Sequence, residues 1–128
     1  MDRISDFMSS PVLSITAQST AEEGARYMCE KKVTALLVKE GEDYVGIVTG
    51  ADLVKKLVAK GLDPKSTKML SVMSKPLLTM GEHFPRSDAN EFMFRKKIKH
   101  LVVTRDGEAV GILTTKDMLS EGADDSLY

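Results

Sequence analysis

Gly46-Ile47-Val48-Thr49-Gly50-Ala51-Asp52 returns sixty-five residues later as Gly111-Ile112-Leu113-Thr114-Thr115-Lys116-Asp117. Both strings read glycine, two aliphatics, threonine, two variable residues and aspartate. The sequence around them keeps the same offset without a gap: Met8 and Met73, Ser9 and Ser74, Pro11 and Pro76, Leu13 and Leu78, Met28 and Met93, Leu36 and Leu101, Val38 and Val103, Val45 and Val110. Fourteen of the forty-seven positions 8–54 are identical to their counterparts, against roughly three by chance at ordinary residue usage. An internal duplication therefore sets the architecture, and the fold has to be read as two copies of one unit.

A chain of 128 residues is long enough to bury about two-thirds of its unfolded surface, so it needs no disulfides. One copy of about sixty residues is marginal by the same scaling. The two copies are therefore expected to share one core. The offset and composition place the first repeat at 1–60, a linker at 61–66 (Gly61-Leu62-Asp63-Pro64-Lys65-Ser66), the second repeat at 67–122 and a frayed acidic tail at 123–128. A net charge of −1 with interspersed signs argues against a nucleic-acid partner or a membrane surface. The single Cys29 forms no internal disulfide, which suits a reducing, cytoplasmic location. The start carries Asp2 and Asp6 without a long apolar run, unlike a signal peptide. No stretch has the length of a membrane-spanning helix.

Each copy reads strand, helix, strand, strand, helix. Pro11-Val12-Leu13-Ser14-Ile15 is an apolar segment after a helix breaker. Thr20 opens a helical run, with Ala21, Ala25, Met28 and Cys29 near one face and Cys29 read as a small core residue. Ala35-Leu36-Leu37-Val38 is a buried strand, the charged stretch 39–43 with Gly41 a hairpin turn, and Tyr44-Val45-Gly46-Ile47-Val48 the return strand. Thr49 starts the last helix, with Leu53, Val54, Leu57 and Val58 at helical spacing. In the second copy the first strand is Leu77-Leu78-Thr79-Met80, and Pro85 sits in the first turn of a helix that turns Ala89, Phe92 and Met93 inward. The strands His100-Leu101-Val102-Val103 and Ala109-Val110-Gly111-Ile112-Leu113 flank an Asp106-Gly107 hairpin turn, and a closing helix starts at 115–119. Such strands beside amphipathic helices imply a sheet covered on one face, in the α+β or α/β class.

Two readings compete at the repeated string. Thr49 and Asp52, like Thr114 and Asp117, have the spacing of a capping box, in which the threonine accepts from a backbone N–H and the acid reaches back to the cap. The second reading is a nucleotide site. An ionised aspartate is an acceptor-only group able to take both hydroxyls of a ribose, and free N–H groups at a helix start suit phosphate. Gly46 and Gly111, inside strands, require close approach by another backbone or by a ligand. The same constraints in the same register twice over give the second reading its weight.

The arrangement resembles a tandem pair of cystathionine-β-synthase (CBS) domains, the adenosyl-ligand-binding Bateman module. The resemblance rests on Phe7-Met8-Ser9-Ser10-Pro11-Val12 and Val72-Met73-Ser74-Lys75-Pro76-Leu77 at the repeat starts, on Thr34-Ala35-Leu36-Leu37-Val38 and Lys99-His100-Leu101-Val102-Val103, and on the two strings. It spans about residues 4–119. It implies an α/β (α+β) fold of two β-α-β-β-α repeats related by a pseudo-twofold axis and sharing a core. It also implies two clefts between the copies for AMP, ADP or ATP, with S-adenosylmethionine or an NAD-like molecule as the less favoured ligands. By that resemblance Asp52 and Asp117 hold ribose hydroxyls, and Thr49 and Thr114 help at ribose or phosphate. Lys116, where the first copy has Ala51, adds positive charge near a phosphate. Val12, Leu13, Ala35, Leu77, Leu78 and His100 line base pockets. The family usually forms a disc-like dimer through helices, and the runs 20–31 and 50–60 with their counterparts are the candidate faces.

The remaining chemistry-bearing residues add little. His100, after the basic run 95–99, suits either a base-stacking ring or a satisfied strand-edge histidine. His83 falls in a solvated turn. Two histidines and one cysteine, widely spaced, make no metal site. The pairs Lys31-Lys32 and Lys96-Lys97 read as solvated helix ends or as phosphate-attracting charge. The methionines fall at apolar positions and read as packing. With no paired catalytic carboxylates, no nucleophile–base set and no Walker-type loop, the chain is not expected to be an enzyme. The expectation is a stand-alone regulatory module, without a covalent cofactor, that binds an adenine nucleotide, forms a homodimer and passes a population shift to a regulated protein. The rivals are a ligand-free dimerisation or docking module and, weakened by the net charge, a nucleic-acid binder. If one cleft alone is occupied, the differences between the copies favour the one that uses Asp117.

Overall fold

The duplicated segments that open the two repeats decide how the chain packs, because each folds against the other copy. The computed structural model describes residues 2–115. In chain order these form a 3-10 turn (Ile4–Asp6), β1 (Ser14–Thr16), α1 (Ala21–Lys31), β2 (Ala35–Glu40), β3 (Asp43–Thr49), α2 (Gly50–Leu53) continued by a π-helical turn (Val54–Val58), α3 (Met69–Val72), β4 (Thr79–Gly81), α4 (Arg86–Lys96), β5 (His100–Arg105) and β6 (Glu108–Thr114). Of the expected closing helix only Thr115 is described; the rest of it, and the tail 123–128, lie outside the described residues. The fold is mixed α+β, two repeats each with a three-stranded sheet and helices, as expected.

The helix ends follow from local sequence. Thr20 caps α1: its hydroxyl accepts from the Glu23 N–H at 3.1 Å, and Glu23 accepts from the Thr20 N–H at 2.8 Å. Lys32 and Lys97 end α1 and α4 in the left-handed conformation, at φ 58° and 57°. There Val33 N–H donates to Met28 C=O and Ile98 N–H to Met93 C=O, both at 3.0 Å, closing Schellman-type ends. Both lysine pairs sit at these ends and are exposed. Asp106 and Gly107, at φ 52° and 81°, supply the positive φ values that a tight primed turn needs.

Strand pairing is the same in both sheets. β1 runs parallel to β2, which pairs antiparallel with β3; β4, β5 and β6 repeat the pattern. The first strand of each copy starts later than its apolar residues suggest, at Ser14 and Thr79 rather than at Pro11 and Leu77. Pro11 and Pro76 have no N–H to give to a ladder. Paired register begins only at Ser14↔Leu37 and Thr79↔Val102. The Ser10-Pro11 and Lys75-Pro76 peptide bonds are both cis.

Of the described residues, 13–77 form one unit, and 2–12 with 78–115 form the other. Within the first unit Met69 N–H donates to Ser19 C=O at 2.8 Å, Ala21 N–H to Thr67 C=O at 2.7 Å, and Ser74 exchanges both backbone bonds with Ile47 at 2.7 and 3.0 Å. Within the second, Ile4 N–H donates to Phe84 C=O at 2.9 Å, Arg86 N–H to Asp2 C=O at 2.7 Å, and Ser9 exchanges both bonds with Ile112 at 2.8 and 2.9 Å. These are the same contacts sixty-five residues apart. Arg86 also pairs with Asp2 at 2.9 Å and lies over the Phe7 ring at 4.4 Å.

In place of the one shared core expected, the described residues form two buried clusters. One buried cluster joins Ala17, Ala21, Val38, Val48 and Leu57 to Met69, Val72 and Met73. The other joins Ile4, with Phe7 and Met8 packed on it, to Ala89, Met93, Leu101, Val103 and Leu113. Each draws on both repeats, so neither copy completes its core alone. Each fully buried aliphatic here contributes about 1.5–3 kcal/mol.

Two expectations about inward faces change. Cys29 is exposed, not a core residue: α1 buries Ala21, Gly24 and Met28, and the next position turns about 100° away. Gly24 is on that face because Met69 presses on it; a Cβ there would stand 2.5 Å from the Met69 Sδ. In the stripe after Thr49 only Leu57 is buried, whereas Val54 and Val58 are 60% and 69% exposed.

Candidate functional site

β2 and β3 bring residues far apart in sequence side by side. Ala35 pairs across the ladder with Thr49, and His100 with Thr114 in the other sheet. Leu13 lies on the neighbouring segment, its C=O accepting from Leu37 N–H at 3.0 Å, and Leu78 C=O accepts from Val102 N–H at 3.2 Å. The candidate residues thus sort by unit: Leu13, Ala35, Thr49, Asp52 and Leu77 in one, Val12, Leu78, His100 and Thr114 in the other. Val12, Leu13, Leu77, Leu78, Thr49, His100 and Thr114 are half-buried and Ala35 is buried. Lys116 and Asp117 lie outside the described residues.

The strand glycines are explained by backbone, not by ligand. A Cβ on Gly46 would lie 2.6 Å from the Met73 Sδ and 2.9 Å from the Ser74 carbonyl oxygen. On Gly111 it would meet Met8 Sδ at 2.5 Å and Ser9 O at 2.9 Å. Only glycine lets the opening segment approach the strand this closely.

Asp52 is the buried acid of the first string. One oxygen, Oδ2, accepts from Thr49 N–H at 2.9 Å and from the Thr49 hydroxyl at 3.1 Å, while that hydroxyl accepts from Asp52 N–H at 3.2 Å. The capping box is therefore present. The other oxygen, Oδ1, accepts from the Ser74 hydroxyl at 2.7 Å and pairs with Lys56 Nζ at 3.1 Å. Lys56 Nζ also donates to Met73 C=O at 3.2 Å and to Ser74 Oγ at 3.0 Å. Burial works to raise the Asp52 pKa, but the bonds from Ser74, Thr49 and Lys56 outweigh it and hold the carboxyl below its ordinary value.

Ser74 and Lys56 were missed as partners of Asp52 by reading the sequence. Serine at both Ser9 and Ser74 was a visible clue, and Lys56 stands at i+4 from Asp52, the spacing of a helical ion pair. Elsewhere, a groove of about 520 Å³ is lined by Met93, Phe94, Ile98 and the cations Arg95, Lys97 and Lys99, and by none of the expected site residues. His83 is exposed and stacks on Phe84, ring centroids 4.9 Å apart. Among the described residues no group of three or more His, Cys, Asp or Glu is placed to hold a metal, and no helix is long and apolar enough to cross a membrane.

The CBS domain family model matches residues 4–59 and 70–124, each covering one copy of the duplication. The chain belongs to the CBS domain family. Its CBS pair is 33% identical to an uncharacterized protein of Methanopyrus kandleri, over 84% of this chain and 56% of the relative. It is 32% identical to an inosine-5'-monophosphate dehydrogenase of Korarchaeum cryptofilum, over 91% of this chain and 23% of that enzyme. The chain thus spans about half or less of the length of these curated relatives. Among solved structures, a CBS domain protein of Pyrobaculum aerophilum complexed with AMP is 27% identical with a TM-score of 0.83, covering 94% of this chain and 92% of that one. A hexameric CBS-CP12 protein of bloom-forming cyanobacteria is 25% identical with a TM-score of 0.87, covering 94% and 71%.

Proposed function

We propose that this CBS pair is a regulatory module that binds an adenosine-containing nucleotide of the AMP, ADP or ATP class. The nucleotide shifts the population of its conformations and so signals to a partner protein. The observation that carries the reading is the doubled register, Ala35 beside Thr49 and His100 beside Thr114, each followed by an aspartate three residues on. The AMP carried by the Pyrobaculum aerophilum protein supports it. In this reading one or two clefts are occupied, and the aspartate of an occupied cleft, Asp52 or Asp117, takes ribose hydroxyls. Thr49, Thr114 and Lys116 serve ribose and phosphate, and Val12, Leu13, Ala35, Leu77, Leu78 and His100 surround the base. The repeats are assigned to 1–60 and 67–122. The reading assigns no reaction to the chain, and it places a homodimer contact on the exposed Val54 and Val58.

Thermal unfolding with AMP, ADP, ATP and S-adenosylmethionine tests the proposal. A ligand at a hundred times its Kd stabilises by about 2.7 kcal/mol. Asp52→Ala and Asp117→Ala, made singly, then locate the loss. Absence of any shift at millimolar ligand refutes nucleotide binding. A second reading, a ligand-free docking module, is favoured by one observation: the Asp52 carboxylate is already engaged by the protein's own groups.

A further inference from the structure

We infer that Lys56 is a built-in occupant of the Asp52 carboxylate, which keeps ligand hydroxyls out of the unit formed by residues 13–77 and leaves nucleotide to the copy that carries Asp117. The inference rests on the nucleotide reading for its second half and on geometry alone for its first.

A carboxylate offers about four lone-pair positions. Asp52 fills them with the Thr49 N–H, the Thr49 hydroxyl, the Ser74 hydroxyl and Lys56 Nζ. A ribose hydroxyl brings a further donor and finds no acceptor position left while Lys56 is in place. The lysine is matched as completely. Its three N–H groups face three acceptors, Asp52 Oδ1, Met73 C=O and Ser74 Oγ, at 3.1, 3.2 and 3.0 Å. The Lys56 side chain is 36% exposed and that of Asp52 10%. The cation is therefore the end of the network that faces solvent.

A ligand hydroxyl that takes Asp52 Oδ1 has to displace Lys56. That move also frees Met73 C=O from its lysine, in the segment that Gly46 was shaped to receive. The latch therefore couples the carboxylate to the docking of the Met73-Ser74 segment. The other copy differs in sequence at this position. The residue sixty-five positions after Lys56 is Glu121, so in sequence an acid, not a lysine, stands four residues after Asp117. The two strings therefore differ in charge at Lys56 against Glu121 as well as at Ala51 against Lys116.

Calorimetric titration of the full chain with AMP tests the inference, using wild type, Lys56→Met, Asp117→Ala, Asp52→Ala and the double variant Lys56→Met/Asp117→Ala. The expected result is one AMP per chain for wild type, binding weakened at least a hundredfold by Asp117→Ala, and binding restored in the double variant through the unlatched Asp52. Two AMP molecules per wild-type chain, loss of binding on Asp52→Ala alone, or no restoration in the double variant would overturn it. If no variant binds AMP, the proposed function fails while the latch is still decided, by amide hydrogen exchange at Ser74 and Ile47. These amides are expected to exchange at least tenfold faster in Lys56→Met, and unchanged protection would refute the latch.

Discussion

The Ser74 hydroxyl donates to Asp52 Oδ1 at 2.7 Å, joining the opening segment of the second repeat to the closing helix of the first. The bond completes the carboxylate's ligation where little water reaches it. Ser74→Ala removes the donor and leaves a buried acceptor short of one partner, at a cost of about 1–3 kcal/mol. Chemical denaturation of the two proteins reads this directly. Equal midpoints would show that the hydroxyl contributes nothing to stability.

The Asp52 carboxyl gives a pH signature. Its pKa in the folded chain lies below the ordinary value of 3.8. A group with a depressed folded pKa contributes stability that is complete above its unfolded pKa and is lost as pH falls through the folded one. Wild type is therefore expected to exceed Asp52→Asn in stability most at neutral pH. The gap should close as pH falls below 3.8 and through the lowered folded pKa. Urea midpoints measured along that series give the sign, and a gap that widens in acid contradicts it.

Gly46 and Gly111 should be intolerant of a methyl group for the same reason. Each would thrust a Cβ within 2.9 Å of a backbone carbonyl, which cannot swing aside as a side chain can. Gly46→Ala and Gly111→Ala are expected to destabilise by about 1–3 kcal/mol each. Trimming Met73 or Met8 as well should restore only part, since the serine carbonyl remains. Gly50, with nothing within 4 Å of its would-be Cβ, is the control. Gly50→Ala should be neutral or slightly stabilising in thermal melts, because alanine favours helix.

The proposed homodimer contact makes a separate prediction. Val58 is 69% exposed on the turn after α2 and is outside both buried clusters. Val58→Glu is expected to lower the dimer fraction in analytical ultracentrifugation with little change in the stability of the monomer. A dimer of unchanged affinity would move the contact elsewhere.

Much of this molecule is written in local sequence. Thr20 announced the start of α1, and Asp106-Gly107 announced a hairpin. The apolar runs Ala35-Leu36-Leu37-Val38 and Tyr44-Val45-Gly46-Ile47-Val48 placed β2 and β3 to within one or two residues at each end. These features depend on neighbours a few positions away, so periodicity and capping chemistry reveal them. The duplication itself was visible from the strings at Gly46 and Gly111, and with it the family and the candidate Thr and Asp positions.

What the tertiary structure decided is where each opening segment goes. Met8-Ser9 and Met73-Ser74 are near-copies, and either would suit the notch left by Gly46 or by Gly111. Local sequence cannot choose between them. The folded chain sends Met73-Ser74 to Gly46 and Met8-Ser9 to Gly111. That choice placed Ser74 on Asp52, twenty-two residues away, and set Lys56 over both. A carboxylate's identity is a property of its residue. Which donors saturate it depends on groups that only long-range packing brings within reach.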